Sequence, residues 1–174
     1  MSEARLTAAA RELLDLCRSK RLTLATAESC TGGLVAATLT EIPGSSDIVE
    51  RGFVTYSNAA KCSMLGVPSI TLERFGAVSQ ETAEAMAKGT LASAPVDLAV
   101  SVTGIAGPGG GAAGKPVGLV HFAAASRPGR LIHRAEKFGD IGRGEVRHAS
   151  VAVALAMLWE LAEEAPENPV RHPR

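Results

Sequence analysis

At 174 residues the chain has the length of one domain with its own core, and nothing in it demands a second. Its 18 acidic and 18 basic residues cancel, which argues against a nucleic-acid surface or a charged membrane face, while 46% hydrophobic content favours a globular fold. Cys17, Cys30 and Cys62 are spaced too irregularly for a disulfide framework or a structural zinc site, and no leader or apolar run of about 18 residues is present, so a cytoplasmic protein is expected.

Residues 4–19 set Leu6, Ala10, Leu13, Leu14 and Cys17 three and four apart among charges, the pattern of an amphipathic helix that needs a sheet to lie on. "LTLAT" (22–26) reads as a short strand and "TGGLVAATLTEI" (31–42) as a helix stopped by "PGSS". "DIVERGFVTYS" (47–57) is a second strand, followed by a short helix, "NAAKCSML", capped by Ser57 or Asn58 and stopped by Gly66 and Pro68. After a connecting segment, Ser79 opens a helix over "QETAEAMAKGTLAS", with acidic residues at the positive end of the helix dipole. Residues 96–103 form an apolar strand buried on both faces, and 117–126 form another that "RPGR" turns back through "LIHRAEKF" as a hairpin. A last helix spans Glu145 to Glu164, and residues 165–174 are expected to be disordered. Strands alternating with helices, then a hairpin and a helix, predict a three-layer α/β/α sandwich over 1–164 whose central sheet is mixed and mostly parallel.

The stretch "TAESCTGG" (26–33) crowds a carboxylate, hydroxyls, a thiol and two glycines between a strand and a helix, where α/β folds bind ligands. Ser29 is either a nucleophile or a helix cap, and Cys30 is either a rival nucleophile or a small core residue. Glu28 either supports a base or substrate hydroxyl or is a solvated turn carboxylate. As a nucleophile, Ser29 would have backbone N–H groups of the helix start placed to receive an oxyanion.

The four histidines lie in predicted strands, on the last helix and in the tail, which makes a Ser-His triad unattractive. A desolvated lysine can serve instead, and "TYSNAAK" offers Tyr56 and Lys61, unless Lys61 is simply a surface lysine. "SVTGIAGPGGGAAGKPVG" (101–118) leaves a buried strand through Thr103 and Gly104 into a glycine-rich loop containing Gly107, suited to carry backbone N–H groups to a phosphate or to act only as a flexible crossover. It is not a P-loop, because Pro116 follows Lys115 where a Ser or Thr is required. Arg143 and Arg147, four apart near the start of the last helix, suit an anion or solvent.

In this order, "TAESCTGG", "GSS", "ERGFVTYSNAAK", "GAVSQET", "SVTGIAGPGGG", "KPVG" and "FGDIGRGEVR" closely resemble the CinA C-terminal domain family over about residues 5–163. Its stand-alone members include nicotinamide-nucleotide amidohydrolases of the PncC type, which convert nicotinamide mononucleotide and water to nicotinate mononucleotide and ammonia. The resemblance implies Ser29 as nucleophile, Lys61 as base taking its proton directly or through the partner Tyr56, and site contacts from Ser46 and Thr103. It implies no metal or cofactor, and only the amidase activity is carried over.

With it we expect oxyanion-binding amides around Cys30, Thr31 and Gly32, and a phosphate held by the glycine loop or by Arg143 and Arg147, of the same or a neighbouring subunit. The partner expected is a small nucleotide substrate, with no nucleic acid and no membrane, in a homodimer. Two departures from the family pattern stand out: no acidic residue between Pro108 and Lys115, and Ile141 and Gly142 inserted between "GD" and "RGEVR". Two other readings remain open at this point, a non-catalytic nucleotide-binding module and an amidase that uses Cys30.

Overall fold

The computed structural model describes residues 2–127 and 129–167. Five strands, β1 (Leu24–Glu28), β2 (Val49–Val54), β3 (Leu98–Gly104), β4 (Leu119–Ser126) and β5 (Leu131–Lys137), form one sheet in the order β2-β1-β3-β4-β5. β1 pairs in parallel with β2 and β3, while β3–β4 and β4–β5 are antiparallel, so four strands run one way and β4 runs against them.

Alternation of side chains along the strands divides the core in two. Leu24, Leu98, Val100, Val102, Val120 and Phe122 face a layer made by α1 (Glu3–Lys20), α2 (Leu34–Thr40) and α6 (Arg143–Glu164), meeting Leu13, Leu14, Val35, Leu39, Leu155 and Leu158. Each large aliphatic side chain fully buried there contributes about 1.5–3 kcal/mol.

The opposite face is built from small residues. Ala25 and Ala27, and Ala123 and Ala125, lie under α3 (Asn58–Leu65), α4 (Ser69–Phe75) and α5 (Gln80–Ser93), so the helices approach closely. Within α5, Gly89 abuts the end of α3, where a Cβ would lie 1.9 Å from the Leu65 carbonyl oxygen. Helices thus cover both faces, giving three layers.

Local chemistry sets the helix starts. Ser57 Oγ accepts from the Ala60 amide at 3.0 Å, and Ser79 Oγ accepts from the Thr82 amide at 3.2 Å, each satisfying a donor that the first turn leaves unpaired. β1 lies two residues later than the apolar pattern suggests and runs through Glu28, a residue whose polarity argues against a buried strand. α4 occupies part of the stretch expected to be only a connection, its first residue following Pro68, which fixes φ at the entry. Pro128 of the "RPGR" turn and residues 168–174 of the tail lie outside the described residues.

The parallel register places the site. Leu24 pairs with Val49 at the amino ends of β1 and β2, and Glu28 pairs with Val54 at their carboxyl ends. Ser29 follows β1, Tyr56 follows β2 and the glycine-rich loop follows β3, so all three leave the sheet at the same edge. Ser46 does not. It sits exposed in a single 3-10 turn before β2, at the amino end of the strands and roughly 15 Å from Ser29 by strand rise. The structure therefore does not bring Ser46, expected as a site contact, to Ser29 of the same chain.

Candidate active site

Ser29 continues the sheet by one bond, its amide donating to Val102 O at 2.9 Å, and then the chain turns. Gly32 and Gly33 both take positive φ, 59° and 95°, which lets the backbone reverse into α2 without a Cβ clash. On the neighbouring strand the Thr55 amide donates to Glu28 O at 2.8 Å, fixing the point where β2 gives way to α3.

Lys61, on the first turns of α3, points inward rather than to solvent. Its side chain is 1% exposed, and Nζ lies 3.0 Å from Ser29 Oγ and 2.8 Å from Thr55 O. Burial pushes the Lys61 ammonium below its ordinary value, against the smaller opposing pull of the Cys30 and Cys62 thiols. Nζ donates to both Ser29 Oγ and Thr55 O, and desolvation eases loss of the ammonium proton that would turn a lone pair toward the Ser29 hydroxyl.

Glu28 is neither solvated nor in the cavity. It is 1% exposed, and its carboxylate accepts from the amides of Gly33, Val35 and Ala36 at 3.0, 3.0 and 2.9 Å and from Thr26 Oγ1 at 3.3 Å. This corrects its expected role as a substrate contact: both oxygens are committed to the start of α2. The same contacts explain how β1 carries a carboxylate into the interior.

These bonds also narrow the expected oxyanion donors. The Gly32 amide is taken by Ser29 O at 3.0 Å, which leaves the Thr31 amide and the Cys30 amide, the latter lying against its own thiol. A thiol is a weak acceptor, so the Cys30 N–H is released at little cost. The Cys30 thiol is buried and pushed up to about 12, mainly by desolvation with a further contribution from Glu28, so it lines the cavity as a neutral group.

Tyr56 is 60% exposed and its hydroxyl accepts from Arg143 Nη2 at 2.7 Å. It lines the cavity but does not stand between Ser29 and Lys61, which meet directly, so of the two expected routes, direct or through Tyr56, the contact present is the direct one. Arg143 also donates through Nη1 to Gly107 O at 3.0 Å, tying the start of α6 to the glycine loop across the cavity mouth. Arg147 donates to Thr31 O at 2.8 Å and supports the turn from behind without lining the cavity.

The cavity has a volume of about 280 Å³, close to the lower bound for small-molecule sites. Ser29, Lys61 and Thr103 lie along it with Val78, Ile105 and Ala106 as apolar wall. Thr103 Oγ1 donates to Ala77 O at 2.7 Å, holding that wall in place. Gly104 also lines the cavity, and its lack of a side chain is required by packing, since a Cβ would come within 2.8 Å of the Leu119 carbonyl oxygen on β4.

Sequence reasoning brings Ser29, Lys61, Tyr56, Thr103, Gly104, Gly107 and Arg143 to one cavity, and the structure assembles them there. It misses Thr55, which acts through a carbonyl that any residue supplies, and the Ala77–Val78 wall, whose only signal is the short "GAVS" stretch before a helix cap.

Comparison with known proteins shows the family. The CinA C-terminal domain model matches residues 6–162. The chain is 48% identical over 161 residues to the nicotinamide-nucleotide amidohydrolase PncC of Escherichia coli (strain K12), covering 92% of this chain and 96% of the relative. It is 51% identical over 141 residues to the protein of the same description from Enterobacter agglomerans, covering 80% and 86%. Among solved structures, competence/damage inducible protein CihA from Agrobacterium tumefaciens superposes with a TM-score of 0.89 at 53% identity, covering 92% of this chain and 96% of that one. With the fold, the motif order and these relatives in agreement, the chain belongs to the CinA C-terminal domain family.

Proposed function

We propose that this chain is a nicotinamide-nucleotide amidohydrolase that hydrolyses the carboxamide of nicotinamide mononucleotide to nicotinate mononucleotide and ammonia. The observation that carries the reading is the buried contact of Lys61 Nζ with Ser29 Oγ at 3.0 Å, at the floor of a cavity open to a small molecule.

On this reading neutral Lys61 accepts the Ser29 proton as Oγ bonds to the carboxamide carbon, and the carbonyl oxygen becomes an oxyanion facing the Cys30 and Thr31 amides. Lys61 then returns the proton to the departing nitrogen. The C–N bond breaks, ammonia leaves, and an ester joins the nicotinoyl group to Ser29. Water, deprotonated by the same amine, attacks that ester, and Ser29 Oγ leaves as the proton comes back to it.

The cationic mouth at Arg143 suits the substrate's phosphate, and among the described residues that guanidinium donates to Gly107 O and Tyr56 Oη and to no carboxylate. We place the enzyme in the cytoplasm as a homodimer. Arg143→Ala is expected to raise KM about tenfold or more while leaving kcat within about threefold, the signature of lost ground-state binding.

The test is ammonia release from nicotinamide mononucleotide, with nicotinamide riboside and free nicotinamide as controls. Release from the mononucleotide by wild type and loss in Ser29→Ala is the expected result. Tight binding of the mononucleotide without turnover would instead indicate a nucleotide-binding module.

A further inference from the structure

The turn that carries Ser29 has little rigidity of its own. Gly32 and Gly33 stand in succession in left-handed conformations, and no side chain at the Gly33 cap position can hold the first amides of α2. The holding group comes instead from the strand. Glu28, immediately before Ser29, reaches forward to the amides of Gly33, Val35 and Ala36.

Its main chain faces the other half of the dyad. Glu28 O accepts from the Thr55 amide at 2.8 Å, and Thr55 O in turn accepts from Lys61 Nζ at 2.8 Å. A closed path therefore runs from Ser29 through Glu28 and Thr55 to Lys61 and back to Ser29. Glu28 is its only member whose side chain grips α2.

Burying a carboxylate is unfavourable unless it is fully compensated, and here main-chain amides and one hydroxyl provide the compensation. An ordinary Ser or Asn cap would satisfy one or two helix amides without a buried charge. A carboxylate accepts several bonds at once and so spans the whole turn, fixing strand end and helix start to each other.

We propose that Glu28 is a positioning residue for catalysis, locking the Gly32–Gly33 turn so that Ser29 Oγ is held against Lys61 Nζ. The inference rests on the reading of Ser29 as nucleophile. In Glu28→Gln one amide acceptor becomes an NH2 group facing backbone N–H donors, so the grip is broken with little change in volume.

The test combines steady-state kinetics of ammonia release with residue-resolved hydrogen exchange on the full chain. Glu28→Gln is expected to lower kcat at least tenfold with KM within about threefold, because a displaced nucleophile impairs chemistry rather than binding. Exchange at Gly33, Val35 and Ala36 should accelerate at least tenfold while β3 and β4 keep their protection. Glu28→Asp retains the charge but is one methylene short of the amides, and it should show the same pattern to a smaller degree if Glu28→Gln does not fold.

A kcat within twofold of wild type would overturn the proposal, as would a kcat loss matched by equal loss of protection throughout the molecule. Should wild type release no ammonia, the amidase reading fails separately. The exchange arm still decides the lock, and unchanged protection at Gly33, Val35 and Ala36 would refute it.

Discussion

At the scale of single residues, activity depends on where protons sit. Lys61 must be neutral to act, so kcat/KM should climb with pH along a limb centred below the ordinary lysine value of 10.5, and Lys61→Arg, which stays charged, should be inactive. The same shift acts on stability: between the lowered folded pKa and the unfolded value, the unfolded chain binds more protons, so stability rises with pH across that window. Thermal melts of wild type and Lys61→Met should therefore diverge in favour of wild type as pH is raised through it. Tyr56→Phe should keep kcat within about threefold, because the hydroxyl faces Arg143 rather than Lys61; a loss of about a hundredfold would restore the relay. With its thiol at about 12, Cys30 should resist iodoacetamide at neutral pH, and Cys30→Ala should remain active. Residue pattern alone did not single out the Ser29–Lys61 pair, since a serine at a strand end equally suits a helix cap and a lysine in a short helix equally suits the surface; the pairing was an implication of the family resemblance. Glu28 was not legible either, since sequence registers its polarity but not the three amides that make its burial tolerable.

At the scale of elements, α3 positions Lys61 and α5 positions α3. Gly89→Ala would force a Cβ into the Leu65 carbonyl, which sits 1.9 Å away, and push the two helices apart. We expect a loss of about 3 kcal/mol or more in urea denaturation, with kcat reduced through displacement of Lys61; a stable, fully active variant would contradict this coupling. Helix caps were readable because Ser57 and Ser79 have a local job that their neighbours announce. α4 was missed because seven residues after a proline, with a single buried apolar position at Leu72, carry too little periodicity to stand out. β1 was placed two residues early for the reason that hid Glu28: a strand whose last residue is a buried carboxylate does not look like a strand.

At the scale of the whole molecule, alternating strands and helices announce the layers, and "RPGR" announces the β4–β5 hairpin, but the antiparallel pairing of β3 with β4 across the glycine-rich loop was not read from the sequence. Which strands neighbour which was not legible, and that order decides function: β1 lies between β2 and β3, bringing Ser29, the entry to α3 and the glycine loop to one edge. It also sends Ser46 to the opposite end, a separation that no local pattern reveals. The central claim is that Ser29 Oγ, activated by Lys61, forms a covalent bond to the substrate acyl group. The most direct test is acid quench of wild type during turnover of nicotinamide mononucleotide, followed by mass spectrometry of the peptide containing residues 26–33. The account predicts the nicotinate-mononucleotide ester on Ser29, with both the adduct and ammonia release lost in Ser29→Ala; an adduct on Cys30, or undiminished release by Ser29→Ala, would contradict it.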